Sequence, residues 1–266
     1  MPINYEKKEH VAVITIDRYE RRNAIDPEHA AALMKCWKDF RDDPDAWVAI
    51  VTGVGNVFCA GGDLKHMGDI AKETKSGNPS RTLRAMVDET GASFTLKGLD
   101  IFKPIIAAVN GYCMAGGMEM LGGTDIRIAS TNAVFSVTEP RRGLIASGGT
   151  TARLPRQLTW PAAMELLLVA GRVDAERALK LGLINEVVAP EQLMDCAWRW
   201  AKEITKNAPL AVQGTKKSAL LGFRAAGLLD AYAIEDQCLI EVFGTEDAQE
   251  GPRAFFEKRE PVWKGY

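Results

Sequence analysis

The sequence predicts an α/β fold in which short apolar strands alternate with helices up to about residue 188. Residues 10–17 alternate in character and are rich in β-branched side chains, which is typical of a strand. Residues 47–52 form a short apolar run that ends at a glycine and indicate a second strand. From Pro190 onward the pattern is helical almost to the end. A sheet-containing core followed by a helical region is therefore the expected fold class.

Local signals place the first helices and loops. Asp26 followed by Pro27 is a typical cap and first turn, and it predicts a helix that ends near Phe40. Residues 64–79 are polar and interrupted by glycine and proline, so we predict a mobile loop there. A helix is predicted over residues 80–101.

The remaining elements are short, and no internal repeat or low-complexity tract separates them. Strands are predicted at 104–109, 124–129, 133–137 and 184–188, and helices at 147–157, 161–169 and 174–181. In the C-terminal region, Pro209 and Gly222 are predicted helix breaks. The simplest organisation is a core domain of residues 1–188 with a helical region of residues 189–266.

Composition excludes several broad classes of function. The 33 basic and 35 acidic residues leave a net charge of −2, which gives no general attraction to nucleic acid or membranes. No segment approaches the roughly 20 apolar residues of a membrane span. The five cysteines are an odd, scattered set without a CxxC pair. This pattern favours reduced thiols, so we expect a cytoplasmic protein.

Two glycine-rich segments, residues 58–63 and 110–119, are the most informative part of the sequence. Each places glycine backbone where a strand gives way to a helix, and N–H groups at such a point favour negative charge. Gly53 and Gly55 follow a strand and could begin a dinucleotide loop, but Phe58 stands where its third glycine belongs, so this alternative is not supported. Gly116 and Gly117 alone could equally permit close helix packing. Together the two segments favour an oxyanion hole, in which one donor is worth about 2.7–4 kcal/mol.

Two glutamates accompany these segments. Glu119 lies in an otherwise apolar stretch, and Glu139 ends a strand-like run. A buried carboxylate without a partner is costly, so each could instead be a surface residue or an ion-pair member, with Arg127 or Arg141 as a partner for Glu119. Their occurrence together with both glycine segments favours catalysis on an enolate.

Other chemistries have little support. The three histidines lie in the first quarter of the chain and lack the spacing of metal ligands, so no metal site is predicted. There is no nucleophile elbow and no local signature of a Cys–His pair. Arg141 and Arg142 could be a surface or interface pair, or could contact a carboxylate-bearing substrate tail.

These motifs resemble those of the crotonase, or enoyl-CoA hydratase/isomerase, superfamily along nearly the whole chain. The resemblance implies a spiral of ββα units and a C-terminal helical trimerisation region that also closes the coenzyme A (CoA) site. It also implies assembly as a homotrimer or a dimer of trimers. The matching segments are residues 17–25, 51–53, 58–65, 103–112, 116–119, 125–129, 135–139, 143–154 and 255–259.

The resemblance implies a role for particular residues by position. Glu119 and Glu139 correspond to catalytic residues, and the N–H groups of Gly62 and Gly116 to the oxyanion hole. The Ala60 carbonyl is expected to accept a hydrogen bond from adenine. Phe255 and Lys258 are expected to close the CoA site and can come from a neighbouring subunit. The full set of expected CoA-binding positions is Arg22, Ala24, Ala60, Gly61, Asp63, Leu64, Phe255 and Lys258.

The presence of both glutamates favours an enoyl-CoA hydratase, a hydro-lyase that needs no cofactor beyond the CoA of its substrate. Three alternatives stay open: a carnitinyl-CoA dehydratase, which residues 246–266 resemble, a Δ3,Δ2-enoyl-CoA isomerase, and a non-catalytic acyl-CoA-binding member. Residues 20–22 and the Arg141–Arg142 pair depart from the common family pattern. The departures leave the CoA contacts and the acyl specificity open.

Overall fold

Two β-sheets form the centre of the computed structural model, which describes residues 3–63, 68–70, 72, 74 and 93–266. The larger sheet has six strands in the order β1-β2-β3-β5-β7-β10, and the smaller has four in the order β4-β6-β8-β9. Pairing is parallel except for β1 with β2 and β8 with β9. The strands are β1 Ile3–Lys8, β2 Val11–Ile16, β3 Val48–Gly53, β4 Val57–Cys59, β5 Ile105–Val109, β6 Tyr112–Met114, β7 Ile126–Ser130, β8 Val134–Ser136, β9 Val173–Asp174 and β10 Glu186–Val188.

Helices cover the sheets and make up most of the C-terminal region. Short 3-10 helices lie at Tyr19–Arg21, Glu139–Arg142 and Pro190–Gln192. The α-helices whose bounds are described are α1 Pro27–Asp42, α2 Gly116–Leu121, α3 Thr150–Gln157, α4 Trp160–Val169, α5 Ala175–Lys180, α6 Leu193–Thr205, α7 Pro209–Gly222, α8 Leu228–Phe243 and α9 Asp247–Glu257. None of the helices within the described ranges is long and apolar enough to cross a bilayer.

Strands occur in successive pairs that connect the two sheets. β3, β5 and β7 of the larger sheet are each followed after a few residues by β4, β6 and β8 of the smaller sheet. A helix follows two of these pairs, α2 after β6 and α3 after β8. Because β4, β6 and β8 are parallel neighbours, the segments that leave their carboxyl ends lie side by side.

Two apolar clusters hold these layers together. One contains α1, where Trp37 is fully buried and its indole N–H donates to the Phe94 carbonyl at 3.1 Å. The other packs α6 against the larger sheet through residues such as Ile106 and Ala197. All five cysteines are buried and form no disulfide: Cys36, Cys59, Cys113, Cys196 and Cys238.

Most predicted elements are present within a few residues of their expected bounds. Asp26 caps α1 as predicted, because its carboxylate accepts the His29 N–H at 2.9 Å. The predicted breaks at Pro209 and Gly222 are the two ends of α7. The short strands β4 and β6 and the terminal strand β1 were not predicted, since three residues show no periodicity and Ile3–Lys8 is mostly polar.

Two predictions near residue 80 need correction. The predicted helix at 80–101 lies largely outside the described residues, and its described part, 93–101, forms turns. Leu96 has φ of 63°, and the Phe94 carbonyl accepts from Trp37, so tertiary contacts replace helical hydrogen bonds there. In the predicted loop 64–79, the described residues 68–70, 72 and 74 are helical. The division at residues 188 and 189 falls between β10 and the C-terminal helices, and as a domain boundary it stays a prediction.

Candidate active site

The two glycine segments meet where β4 and β6 end. Cys59 of β4 lies opposite Cys113 of β6, so the residues that follow these strands are neighbours. A Cβ atom added to Gly61 would lie 2.9 Å from the Gly116 nitrogen and 2.6 Å from the Ala115 Cβ. Gly61 also has φ of +96°, which L side chains rarely adopt. Both the backbone conformation and this close approach therefore require glycine.

Two backbone N–H groups in this contact have no hydrogen-bond partner among the described residues. The Ile25 N–H donates to the Gly61 carbonyl at 2.8 Å, and the Asp63 N–H donates to the Ile25 carbonyl at 2.9 Å. The Gly62 N–H, which lies between them, takes part in neither hydrogen bond. The Gly116 N–H is at the first position of α2, where no intrahelical acceptor exists. A Cβ on Gly116 would be 3.3 Å from the Gly62 nitrogen. The two donors are thus close together, and neither has an acceptor in the part of the chain that the structure describes.

Backbone strain marks the same turn. Ala115, which connects β6 to α2, has φ of 47° and ψ of −117°, and its N–H donates to the Ser136 carbonyl at 3.0 Å. A non-glycine residue in such a sparsely populated conformation costs on the order of 1–3 kcal/mol. The surrounding strands hold the turn in this shape, which is common at functional sites.

Glu119 lies on α2, three residues after Gly116. Its Oε1 atom accepts the Gly148 N–H at 2.5 Å. Burial raises the pKa of this carboxyl, against the opposing effects of the Gly148 N–H and the positive charges of Lys97 and Arg153. A Cβ on Gly148 would lie 2.3 Å from the other carboxylate oxygen, so the Gly148 position has no room for a side chain.

Glu139 begins the 3-10 helix that follows β8, and it is 9% exposed. Its Oε2 atom is buried and has no hydrogen-bond partner in the described part of the chain. Burial, the larger cause, and the negative charge of Glu119 together raise the pKa of Glu139 to about 7. A carboxyl group with a pKa near neutrality is suited to give and take protons.

The ion-pair alternative for Glu119 is not found in the described residues. The Arg127 guanidinium donates to carbonyls, including those of Leu183 at 3.2 Å and Thr124 at 3.1 Å. Arg141 donates to the Val169 carbonyl at 3.5 Å. Neither arginine therefore neutralises the glutamate.

Several expected CoA positions gather beside the first glycine segment. The Ala60 N–H donates to the Arg22 carbonyl at 3.2 Å. The Ala24 carbonyl accepts from Arg18, whose guanidinium is 3.5 Å from the Asp63 carboxylate. Arg18 was not predicted as a site residue, because its role depends on contacts across the chain. It connects the segment at Ala24 with the segment at Asp63.

Other expected positions are not brought to this place within one chain. Leu64 lies outside the described residues. Phe255 is 78% exposed and forms an edge contact with Phe256, and Lys258 caps the end of α9. Within the described ranges, neither forms a hydrogen bond to the glycine segments.

Comparison with known proteins places this chain in a family. A family model described as enoyl-CoA hydratase/isomerase matches residues 6–266. The chain belongs to the enoyl-CoA hydratase/isomerase family. The resemblance and the fold expected from it are thereby confirmed.

Individual family members are similar over their full length. An (E)-benzylidenesuccinyl-CoA hydratase from Thauera aromatica is 40% identical, with 100% of both chains covered. A carnitinyl-CoA dehydratase from Citrobacter koseri is 35% identical over 99% of this chain and 98% of that protein. A crystal structure of an enoyl-CoA hydratase from Mycobacterium tuberculosis H37Rv superposes with a TM-score of 0.87 at 36% identity, covering 100% of this chain and 99% of that one.

Replacing Glu139 with glutamine should make the free energy of unfolding fall less, as pH rises from 5 to 8, than it does in the wild type. The pKa of about 7 lies above the ordinary value of 4.5, so the unfolded chain loses this proton before the folded chain does as pH rises. The free energy of unfolding of the wild type therefore falls across that interval, by on the order of 2–3 kcal/mol, and the variant escapes the loss. Urea unfolding near pH 5 and near pH 8, at one protein concentration, measures it.

Glu235→Gln, an exposed position on α8, is the matched control and should follow the wild type at both pH values. An equal pH dependence in Glu139→Gln and the wild type would show that Glu139 titrates normally in the folded protein.

Proposed function

We propose that this protein catalyses the reversible addition of water across the 2,3 double bond of an enoyl-CoA thioester. The observation that carries the proposal is that the strands ending at one sheet edge lead to two carboxylates, Glu119 and the buried Glu139, and to two backbone donors without an acceptor among the described residues. Relatives named as hydratases and dehydratases support the same reaction class.

The backbone donors act on the thioester. Its carbonyl oxygen accepts hydrogen bonds from the N–H groups of Gly62 and Gly116, which polarises the conjugated double bond. As water adds, negative charge moves onto this oxygen, and donors already held in place stabilise it without further rearrangement. Because Gly116 is at the start of α2, the partial positive charge of a helix N-terminus acts in the same direction.

The two carboxylates divide the proton transfers. Glu119 takes a proton from the water as its oxygen bonds to the β-carbon. Glu139, whose pKa of about 7 keeps a proton available near neutrality, gives a proton to the α-carbon. Proton exchange between the two carboxyls through water restores the starting state, and the reverse sequence eliminates water. These steps use no metal or redox cofactor.

The CoA part of the substrate is bound by the backbone around Arg22, Ala24 and Ala60, with Phe255 and Lys258 supplied by a neighbouring subunit. Assembly as a homotrimer or a dimer of trimers follows from this proposal. It is supported by the apolar side chains that the C-terminal helices leave exposed in one chain, since large exposed apolar patches mark interaction sites. They include Phe223, Leu228, Leu229, Leu239, Ile240, Phe243, Phe255 and Phe256.

Sedimentation equilibrium should therefore give the mass of three or six chains. Leu229, which is 82% exposed on α8, is the residue to change. Leu229→Glu places a charge among the exposed apolar side chains of the C-terminal helices and should lower the mass towards one chain. Leu179→Glu, on α5 outside these helices, is the control and should leave the mass unchanged. A single-chain mass for the wild type would contradict the assembly.

A carboxylate-bearing enoyl-CoA is a second candidate substrate. Arg141 and Arg142 are exposed, lie in the same 3-10 helix as Glu139, and form no ion pair with a described residue. The name of the Thauera aromatica relative denotes a succinyl thioester, which has a second carboxylate. The two guanidinium groups could pair with such a group.

Loss of either glutamate should abolish most of the hydration activity. Glu119→Gln and Glu139→Gln should each lower kcat by on the order of 10²–10⁴-fold, because the substituted side chain cannot exchange protons. The assay is the loss of conjugated enoyl absorbance with short, long, branched and crotonobetainyl thioesters. Glu235→Gln should retain wild-type activity. Wild-type hydration activity in the Glu119→Gln, Glu139→Gln double variant would refute the proposal. If the protein converts 3-enoyl-CoA and Glu119→Gln does not lower that activity, the isomerase alternative is favoured.

Arginine variants test the second substrate. If Arg141 and Arg142 bind a carboxylate, then Arg141→Ala and Arg142→Ala should lower kcat/KM about tenfold for carboxylate-bearing enoyl-CoAs, the loss expected for a charged hydrogen bond. The neutral analogue should be unaffected. An equal effect on charged and neutral substrates would remove this role.

A further inference from the structure

Arg153 reaches from α3 to the backbone of the helix that carries Glu119. Its Nη1 atom donates to the Glu119 carbonyl at 3.0 Å and to the Thr95 carbonyl at 2.8 Å. One guanidinium nitrogen therefore joins α2 to the turn at residues 93–98. Neither acceptor is a carboxylate, so the contact fixes the backbone and leaves the Glu119 side chain free for another donor.

A second set of hydrogen bonds runs from the same turn to the Glu119 carboxylate. The Thr95 hydroxyl donates to the Gly148 carbonyl at 2.7 Å, and Thr95 is 1% exposed. The Gly148 N–H then donates to Glu119 Oε1 at 2.5 Å. Arg153, Thr95, Gly148 and Glu119 thus form a closed loop of contacts. Both the backbone and one carboxylate oxygen of Glu119 are held within it.

The space around the guanidinium is built to fit it. A Cβ atom on Gly149 would lie 2.9 Å from Nη1, and one on Gly123 would lie 3.1 Å from it. Gly149 has φ of +121°, so the backbone there is suited only to glycine. The Arg153 side chain therefore lies in a narrow slot between α2 and the Gly148–Gly149 turn.

The charged groups that act on Glu119 differ from the one that acts on Glu139. Lys97, whose Nζ donates to the Ser147 carbonyl at 3.0 Å, and Arg153 both face Glu119 as cations. The charged group that acts on Glu139 is Glu119 itself. Arg224 lies near Arg153 and forms its own ion pair with Asp100 at 2.9 Å.

We propose that Arg153 is a positioning residue for the hydration reaction: it holds α2, the Thr95 turn and the Gly148 turn together so that Glu119 binds Gly148 with one carboxylate oxygen and presents the other to water. This inference rests on the proposed function. Arg153 touches neither substrate nor the reacting atoms. A lysine retains the charge but lacks the planar guanidinium, so it can restore only part of the effect.

Arg153→Met is the first variant. We expect kcat to fall by on the order of 10- to 100-fold, as for a misplaced catalytic group, with KM within about threefold of the wild type. Loss of the cation raises the pKa of Glu119, so the acidic limb of the kcat profile moves to higher pH. Arg153→Lys should keep the limb near its wild-type position while kcat stays reduced. Arg156→Met, an exposed position on the same helix, should change nothing.

Thr95→Val separates geometry from charge, since it removes the hydroxyl donor but no charged group. It should lower kcat without moving the acidic limb. A wild-type kcat in Arg153→Met overturns the inference. A lower kcat together with a higher KM, with the acidic limb of the kcat profile at its wild-type position, also overturns it. If Arg153→Met does not fold, wild-type kcat in both Arg153→Lys and Thr95→Val overturns it. Failure of the proposed function has a different signature, because the wild type and Glu119→Gln would then be equally inactive on every enoyl-CoA.

Discussion

The parallel pairing of β4, β6 and β8 is the constraint on which the rest of the site depends. With Cys59 opposite Cys113, and Cys113 opposite Phe135, three strands end at the same edge of the smaller sheet. The segments that leave this edge carry both glutamates and the two backbone donors that lack an acceptor among the described residues. A shift of one residue in this register would turn each strand's side chains to the other face and separate the groups.

The edge that carries the candidate site has locally unfavourable features. Ala115 has an unfavourable backbone conformation, and Glu139 is buried with an oxygen that lacks a partner among the described residues. Either feature alone is expensive relative to the small net stability of a folded domain. The extensive apolar clusters on both sides of the larger sheet offset these costs. The rigid surroundings also keep the donors oriented, so no binding energy is needed to arrange them.

Features that depend on a few neighbouring residues could be predicted from the sequence, whereas features that depend on contacts between distant residues could not. The cap at Asp26 and the glycine turns have signatures within a few residues, and the structure confirms both. The three-residue strand β4 has no periodicity to detect, although its register positions Gly61. Arg153 was missed as well, since nothing near it in the sequence shows which arginine meets Glu119. The motifs themselves favoured an oxyanion hole and catalysis by the two glutamates, the resemblance assigned roles to particular positions, and both stay predictions.

The burial of all five cysteines gives the molecule a set of internal reporters. Thiol-alkylating reagents reach such side chains only when the surrounding segment opens, so each rate of modification measures a local free energy of opening. Cys59 and Cys113 lie directly beneath the glycine turns, whereas the others sample separate helices. Mass spectrometry of partly alkylated protein would thus rank the free energy of opening at the edge with the candidate site against that of α1, α6 and α8. The five side chains to follow are those of Cys36, Cys59, Cys113, Cys196 and Cys238.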